Sequence, residues 1–442
     1  MRIRVTPGTT VAGDVRVPGD KSIAHRWLLL GTIATGRTEL RGLPVSFDVA
    51  STARVCAGLL GEDELFRWAG SIGSGNPDVD HRIAIEGARR DLLQPPSGPL
   101  DCGNSGTAMR LLSGVLAASP LSATLDGDDS LRARPMERVA EPLRRMGAVV
   151  DTVDGHAPVA IKGAALQGIR YETPVPSAQV KGAVLLAGIG AEGRTEVIES
   201  TATRDHTERA LRALGAGVTD LPSGIGVERF DVPSFSGSVP GDVSSAAFLA
   251  AAAALTGGET TVERVGCNPT RTAFLRVLAR MGAHVEIATT GEELGEPVGA
   301  LRISASHGLQ GIVIAPDDLP GTVDEVPVLA AVAAHAEGQT RFGGAAELRV
   351  KESDRLTGLR DLIRGLGGEA AIEGDALVVA GGGLKGGTAD SRGDHRMAMA
   401  AVVAAVAARG PSEIEGIEAA AVSFPGFTAT MLDLGARIEV LG

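Results

Sequence analysis

Lysine is scarce in this sequence. Only Lys21, Lys162, Lys181, Lys351 and Lys385 stand among its 42 basic residues, the rest being arginine. Cysteine is scarcer still, and Cys56, Cys102 and Cys267 are odd in number and far apart, with no C-x-x-C or Cys/His cluster. That pattern excludes a disulfide framework and a structural zinc site, and the three read as buried thiols. Aromatic residues make up 3% of the chain and the net charge is −12, which argues against a nucleic-acid groove, since such a groove needs a basic face and stacking rings. Long apolar runs are missing too. "AAFLAAAAAL" from Ala246 and "MAMAAVVAAVAA" from Met397 fall short of the roughly 20 residues that span a bilayer, and read as buried helices. The first ten residues, "MRIRVTPGTT", carry no apolar signal segment, so the expected location is cytoplasmic, without a membrane partner.

What is present is an ordinary globular balance of 44% hydrophobic and 22% charged residues over 442 positions, long enough for two domains. Six amphipathic segments end alike, at Gly61, Gly147, Gly215, Gly282, Gly367 and Gly435. Glycine after an apolar helix end is a left-handed cap, and strands such as "AVVDTV" and "AHVEIA" follow two of them. The last three glycines lie 221, 220 and 220 residues beyond the first three, and "VPGDKSIAHRWLLLGTIATGRTEL" from Val17 returns 222 residues later as "VPGDVSSAAFLAAAAALTGGETTV" from Val239. A common Gly-Ala ending would explain one match but not four concordant offsets. The chain therefore reads as two similar α/β halves of three helix-containing units each, crossing over near the two "VPGD" segments: 1–19 with 240–442, and 20–239.

Cations cluster where helices begin. Ser22 can cap a helix carrying Arg26, with Lys21 just outside; Asn104 or Ser105 can cap one carrying Arg110; Ser353 can cap one whose first turn holds Arg355; Asp394 can cap one holding Arg396. A cation at a helix N-terminus opposes the macrodipole by about 0.3–1 kcal/mol. Several of them beside glycines suggest helix ends that share a polyanionic small molecule. "GDKS" is not a phosphate loop, because Asp20 separates Gly19 from Lys21 and no acidic magnesium ligand is identifiable. Asp324 and Glu325 precede a buried helix, and Glu352 stands between Lys351 and Ser353. A carboxylate among cations can take a proton from a bound hydroxyl, while Asp324 reads equally as a helix cap.

Taken together, "PGDKSIAHR", "GNSGTAMR", "RARPM", "SAQVKGA", "TRDHTE", "VDEVPVLA", "RVKESDRL" and "GDHRMAMA" resemble the EPSP synthase (3-phosphoshikimate 1-carboxyvinyltransferase) family, from Pro18 to about Phe427. The resemblance implies two domains, each of three βαβαββ units forming an inside-out α/β barrel, with the active site in the interdomain cleft. It implies addition of the 5-hydroxyl of shikimate 3-phosphate to phosphoenolpyruvate and loss of phosphate, in the shikimate pathway, by a monomer with no metal or organic cofactor. By motif, Lys21, Ser22 and Arg26 match shikimate 3-phosphate contacts, Lys21 also reaching phosphoenolpyruvate. Gly106, Arg134, Arg355 and Arg396 match phosphoenolpyruvate contacts. Ser177, Ala178, Gln179, Arg204 and Lys351 match further contacts of the shikimate substrate. Asp324 matches the base for the 5-hydroxyl and Glu352 the carboxylate implicated in proton transfer at C3. Val422 and "SAQ" resemble the family's second class, and glycine at 106 implies sensitivity to glyphosate.

Three alternatives are distinguishable. A UDP-N-acetylglucosamine enolpyruvyltransferase shares the architecture but usually carries a cysteine in the loop that here reads "LDGDDSLRARP". A non-catalytic anion-binding protein on the same scaffold would lose Lys21, Asp324 or Glu352 while keeping the arginines. An RNA-end-processing enzyme of related topology conflicts with the charge and the aromatic count.

Overall fold

The structure, a computed structural model, describes residues 1–71, 82–304, 308–319 and 321–441. The chain forms two compact units, one of Met1–Pro18, Pro240–Gly291 and Pro297–Gly442, the other of Gly19–Val239 with Glu292–Glu296. The first is called here the discontinuous unit and the second the central unit. All six glycines that end the repeated helices have positive φ, between 68° and 112°, the region where a Cβ is costly.

Among the described residues each unit contains three sheets; five of the six have four strands, and the sixth, of Ser236–Ser238, Gly36–Arg41 and Ile83–Gly87, has three. In the central unit, Leu100–Asp101 pairs in parallel with Ser122–Asp126, which pairs antiparallel with His156–Lys162, itself antiparallel to Val149–Val153. Arg170–Glu172, Thr195–Ile198, Gly224–Val227 and Val218–Leu221 repeat that order. In the discontinuous unit, Val313–Ile314, Gln339–Phe342, Ala376–Ala380 and Glu369–Glu373 repeat it again, as do Thr388–Asp390, Ser412–Glu415, Arg2–Thr6 and Arg437–Val440. One helix joins the parallel pair and a second leads into the hairpin, which is the βαβαββ pattern. The α/β fold with open sheets follows the sequence repeat.

The two "VPGD" segments mark an exchange of strands. Gly13–Val15, just before the first, pairs in parallel with Glu259–Gly266, which follows the Val243–Thr256 helix. Ser236–Ser238, just before the second, pairs in parallel with Gly36–Arg41, which follows the Lys21–Thr32 helix. Each leading strand thus completes the unit that the following helix does not belong to. A Cβ on Gly19 would fall 2.0 Å from the Gly42 carbonyl oxygen, so only glycine permits this turn.

Alanine-rich helices fill the interior. In the discontinuous unit Val243–Thr256, Val326–His335 and His395–Val406 pack on one another and are buried almost all round. In the central unit Gly106–Ala117 packs against both Lys21–Thr32 and Ala178–Gly188. Contact between Gly106–Ala117 and Ala178–Gly188 is close enough that a Cβ on Gly114 would lie 2.1 Å from the Ala183 oxygen. Among the described residues no helix is long and apolar enough to cross a membrane. All three cysteines are free and buried, and burial pushes the Cys56 thiol up to about 12.

Candidate active site

In the central unit most of the candidate side chains lie at the starts of the three inner helices. Asp20 caps Lys21–Thr32, its side chain accepting from the Ser22 and Ile23 N–H groups. Ser22 is therefore not the cap, and Lys21 is the first helical residue rather than an outlying one. An aspartate two residues before Ser22 already occupies both amides, which leaves the Ser22 hydroxyl for other partners. The Lys21 ammonium lies 2.9 Å from Asp48 Oδ2. Arg26 is buried, its Nε donating to Thr207 Oγ1 at 2.8 Å and Nη1 to the Ser22 carbonyl at 2.8 Å. Burial pushes this guanidinium down to about 10. Both of its acceptors are neutral, while Glu208 and Asp20 nearby favour its charged form.

Ser105 caps Gly106–Ala117 through the Ala108 N–H. Behind it sits His25, whose Nδ1 is 2.7 Å from Thr52 Oγ1 and Nε2 3.4 Å from Ser105 Oγ. Desolvation, with Lys21 and Arg26 nearby, holds His25 well below its ordinary range, so the ring is neutral. At the helix start, a Cβ on Gly106 would lie 3.1 Å from Arg110 Nη1 and 3.3 Å from Arg134 Nη1. Arg134 donates to Asn104 Oδ1 and, at 3.4 Å, to Ser130 Oγ. Arg110 donates to Gln179 Oε1 and to the Pro135 carbonyl, and Gln179 Nε2 donates to Thr107 Oγ1 at 2.8 Å. Ser177 caps the third helix, whose first residue is Ala178. Arg204 lies in the loop before His206–Ala213, near enough to Arg26 to repel its charge.

The discontinuous unit gathers carboxylates instead. Arg355 is fully buried and meets three of them: Asp394 Oδ2 at 2.8 Å from Nε, Glu352 Oε2 at 2.6 Å from Nη2 and Asp324 Oδ1 at 3.6 Å from Nη1. Despite its desolvation, Asp394 and Glu352 hold its guanidinium above the ordinary range. Asp394 caps His395–Val406, accepting from the Arg396 and Met397 N–H groups; despite its burial, Arg355 keeps this carboxyl below the usual carboxylate range. Asp354, not Ser353, caps Arg355–Gly365, bonding the Thr357 N–H. The Ser353 hydroxyl is held by Asp394 at 3.0 Å, which removes it from capping. Lys351 Nζ is 3.9 Å from Asp324 Oδ1, and Arg396 Nη1 donates to the Asp324 carbonyl at 2.8 Å. Glu325, not Asp324, occupies the cap position of Val326–His335 and makes no side-chain cap bond. It accepts from Ser244 Oγ and lies 3.6 Å from Arg396.

The family model described as EPSP synthase (3-phosphoshikimate 1-carboxyvinyltransferase) matches residues 5–431. The chain belongs to that family. A 3-phosphoshikimate 1-carboxyvinyltransferase of Acidithiobacillus ferrooxidans is 46% identical over 441 residues, covering 99% of each chain. One from Synechocystis is 45% identical, covering 97% of this chain and 96% of that one. Among solved structures, an EPSP synthase from Acinetobacter baumannii superposes with a TM-score of 0.86 at 38% identity over the whole of both chains. An enolpyruvyl transferase from Streptomyces tendae shares the fold, with a TM-score of 0.75 at 17% identity.

Of the residues that the EPSP synthase motifs single out, Lys21, Ser22, Arg26, Gly106, Arg134, Ser177, Ala178, Gln179 and Arg204 belong to the central unit. Asp324, Lys351, Glu352, Arg355 and Arg396 belong to the discontinuous one. The sequence places Arg110 among the helix-start cations that suggest a shared anion, but the family motifs assign it no substrate contact, although its guanidinium touches Gln179 and crowds Gly106. The spacing of Arg110 four residues after Gly106, one helical turn, was the available signal. His25, Asp48 and Asp394 were not assigned as supports of Ser105, Lys21 and Arg355; those pairings are tertiary, and no local pattern announces them.

Proposed function

We propose that this protein transfers the enolpyruvyl group of phosphoenolpyruvate to the 5-hydroxyl of shikimate 3-phosphate, releasing phosphate, in the shikimate pathway to aromatic amino acids. The observation that carries this reading is near-full-length kinship, 46% identity across 99% of the chain. The reaction brings two phosphates and two carboxylates together, and their repulsion must be offset by fixed cations. Lys21, Arg26, Arg134 and Arg204 supply them in the central unit, Lys351, Arg355 and Arg396 in the discontinuous one. The 5-hydroxyl oxygen bonds to C2 of phosphoenolpyruvate while its proton passes to a carboxylate, Asp324, and C3 receives a proton. Glu352 delivers the proton to C3; from the tetrahedral adduct the C–O bond to phosphate breaks, a proton returns from C3 to that carboxylate, and the vinyl group is restored.

Three features of the residues support these roles. Asp324, Glu352 and Asp394 share Arg355, so one added proton relieves repulsion among them. Asp324 and Glu352 keep 16% and 26% of their side-chain surface exposed, whereas Asp394 has none; the first two are the carboxylates a substrate can reach. Lys21 carries a compact ammonium that can exchange a proton, which a guanidinium cannot do. We place the enzyme in the cytoplasm as a monomer, a setting that suits its three free, buried thiols.

Phosphate release from phosphoenolpyruvate tests the reading. Release is expected with shikimate 3-phosphate, unaffected by a metal chelator, and absent with UDP-N-acetylglucosamine. Release with the sugar nucleotide alone, or with neither acceptor, overturns it.

A further inference from the structure

The lysine of "SAQVKGA" has no place in the reaction outlined above, yet it is one of only five in the chain. Lys181 is 4% exposed and its ammonium makes three contacts: Glu199 Oε2 at 2.8 Å, Glu208 Oε1 at 2.8 Å and the Thr203 carbonyl at 3.3 Å. An ammonium has three N–H donors, and these acceptors occupy all of them. Glu199 also accepts from the Thr203 hydroxyl. Thr203 is therefore held twice, its carbonyl by Lys181 and its hydroxyl by the glutamate paired with that lysine. The next residue is Arg204. Glu208 belongs to the helix that follows, and Thr207 beside it accepts from Arg26 Nε at 2.8 Å. At the other end, Lys181 sits one helical turn after Ser177–Gln179 on the Ala178–Gly188 helix.

We infer that Lys181, Glu199 and Glu208 form a buried positioning triad that fixes the Arg204 loop and Arg26 against the Ser177–Gln179 helix start, and so sets the affinity for the phosphorylated hydroxy-acid substrate. The triad touches no substrate atom. Burial disfavours a charged lysine, but Glu208 and Glu199 outweigh it and hold the ammonium above its ordinary range, so the cation persists throughout the working pH range. Arginine could not replace it without loss: the planar fork cannot direct three donors from one atom at two carboxylates and a carbonyl. The excess negative charge of two glutamates on one lysine is felt by Arg26, which Glu208 stabilises as a cation.

The inference rests on the proposed reaction, and steady-state kinetics of purified variants separate the two. Wild-type protein that releases no phosphate from phosphoenolpyruvate and shikimate 3-phosphate defeats the reaction. With an active wild type, Lys181→Met is expected to raise the KM for shikimate 3-phosphate at least tenfold while changing the KM for phosphoenolpyruvate less than twofold. Thr203→Val, which keeps all three charges and removes only the hydroxyl tie, is expected to raise the first KM about threefold with an unchanged circular dichroism spectrum. It carries the test if Lys181→Met does not fold. Equal changes in both KM values, or a Thr203→Val enzyme whose KM for shikimate 3-phosphate equals the wild type's, overturn the inference.

Discussion

The two units are copies in topology, and the arginines at their helix starts differ in the partners they keep. Asp20 and Asp242 cap equivalent helices and Ser22 corresponds to Ser244, but Lys21 corresponds to Val243 and Arg26 to Phe248. In the central unit Arg26, Arg110 and Arg134 donate to neutral oxygens. In the discontinuous unit Arg355 is surrounded by three carboxylates, and Glu325 stands 3.6 Å from Arg396. An arginine with neutral partners keeps its charge for a ligand; one shared among carboxylates holds them close and lets one accept a proton. The duplicated scaffold supplies helix starts twice, and under the proposed reaction the carboxylates that move protons, Asp324 and Glu352, stand on the discontinuous copy. The central unit's cations with carboxylate partners include Lys21, paired with Asp48, and Lys181, held by Glu199 and Glu208; of these two only Lys21 has a proton-transfer role in the proposed reaction.

Breaking the proton-moving side should cost most. Asp324→Asn keeps shape and removes the base, and kcat is expected to fall about 10²–10⁴-fold with little change in either KM; stopped-flow or steady-state phosphate release measures it. Arg355→Met should both abolish activity and lower stability by about 3–5 kcal/mol, because it strands the fully buried Asp394. Urea denaturation reads that loss. On the binding side Arg134→Met removes a cation whose partners are neutral, so the KM for phosphoenolpyruvate should rise about 10–100-fold while stability changes little. If Arg134→Met proves as destabilising as Arg355→Met, the contrast between the units fails.

Smaller effects sharpen the same comparison. Gly106→Ala places a Cβ 3.1 and 3.3 Å from two flexible guanidinium ends, so the fold should survive. The KM for phosphoenolpyruvate should rise about fivefold, for a crowding cost near 1 kcal/mol, and inhibition by glyphosate should weaken. Equal glyphosate sensitivity of wild type and variant rejects the role given to this position. The smallest effect concerns pH. His25 in the central unit and His335 in the discontinuous one are both held below the ordinary histidine range, chiefly by burial. Below about pH 6.5 the unfolded chain binds protons there that the native state does not, so stability falls as pH falls, by up to about 1.4 kcal/mol per pH unit for each. His335 is partly relieved by its bond to the Ala404 carbonyl, whereas Lys21 and Arg26 oppose a proton on His25. His25→Gln should therefore flatten the pH dependence of the denaturation midpoint more than His335→Gln. The carboxylate side has the opposite ionic form: Asp394, depressed below its unfolded value, stabilises above about pH 4 and that contribution is lost as pH drops further.

Much of the fold was legible because its signals are local and repeated. Six glycine caps recur at matched spacing, and each has the positive φ that the spacing implied. Cap identity was less legible: Asp20 and Asp354 displaced Ser22 and Ser353 as caps, since a shift of one or two residues in the approaching backbone decides which oxygen reaches the amides. Strand exchange at the two "VPGD" segments was read only as a crossing, because pairing Gly13–Val15 with Glu259–Gly266 joins segments about 250 residues apart and no periodicity encodes a distant partner. For the same reason Asp394, legible as a helix cap, was not legible as the partner of Arg355, nor Arg110, legible at a helix start, as the donor to Gln179.

Titration of shikimate 3-phosphate, without phosphoenolpyruvate, into Arg204→Met and Asp324→Asn proteins tests the division of labour most directly. The account predicts at least tenfold weaker binding for Arg204→Met and affinity within about threefold of wild type for Asp324→Asn. The reverse order, or equal losses in both, would contradict it.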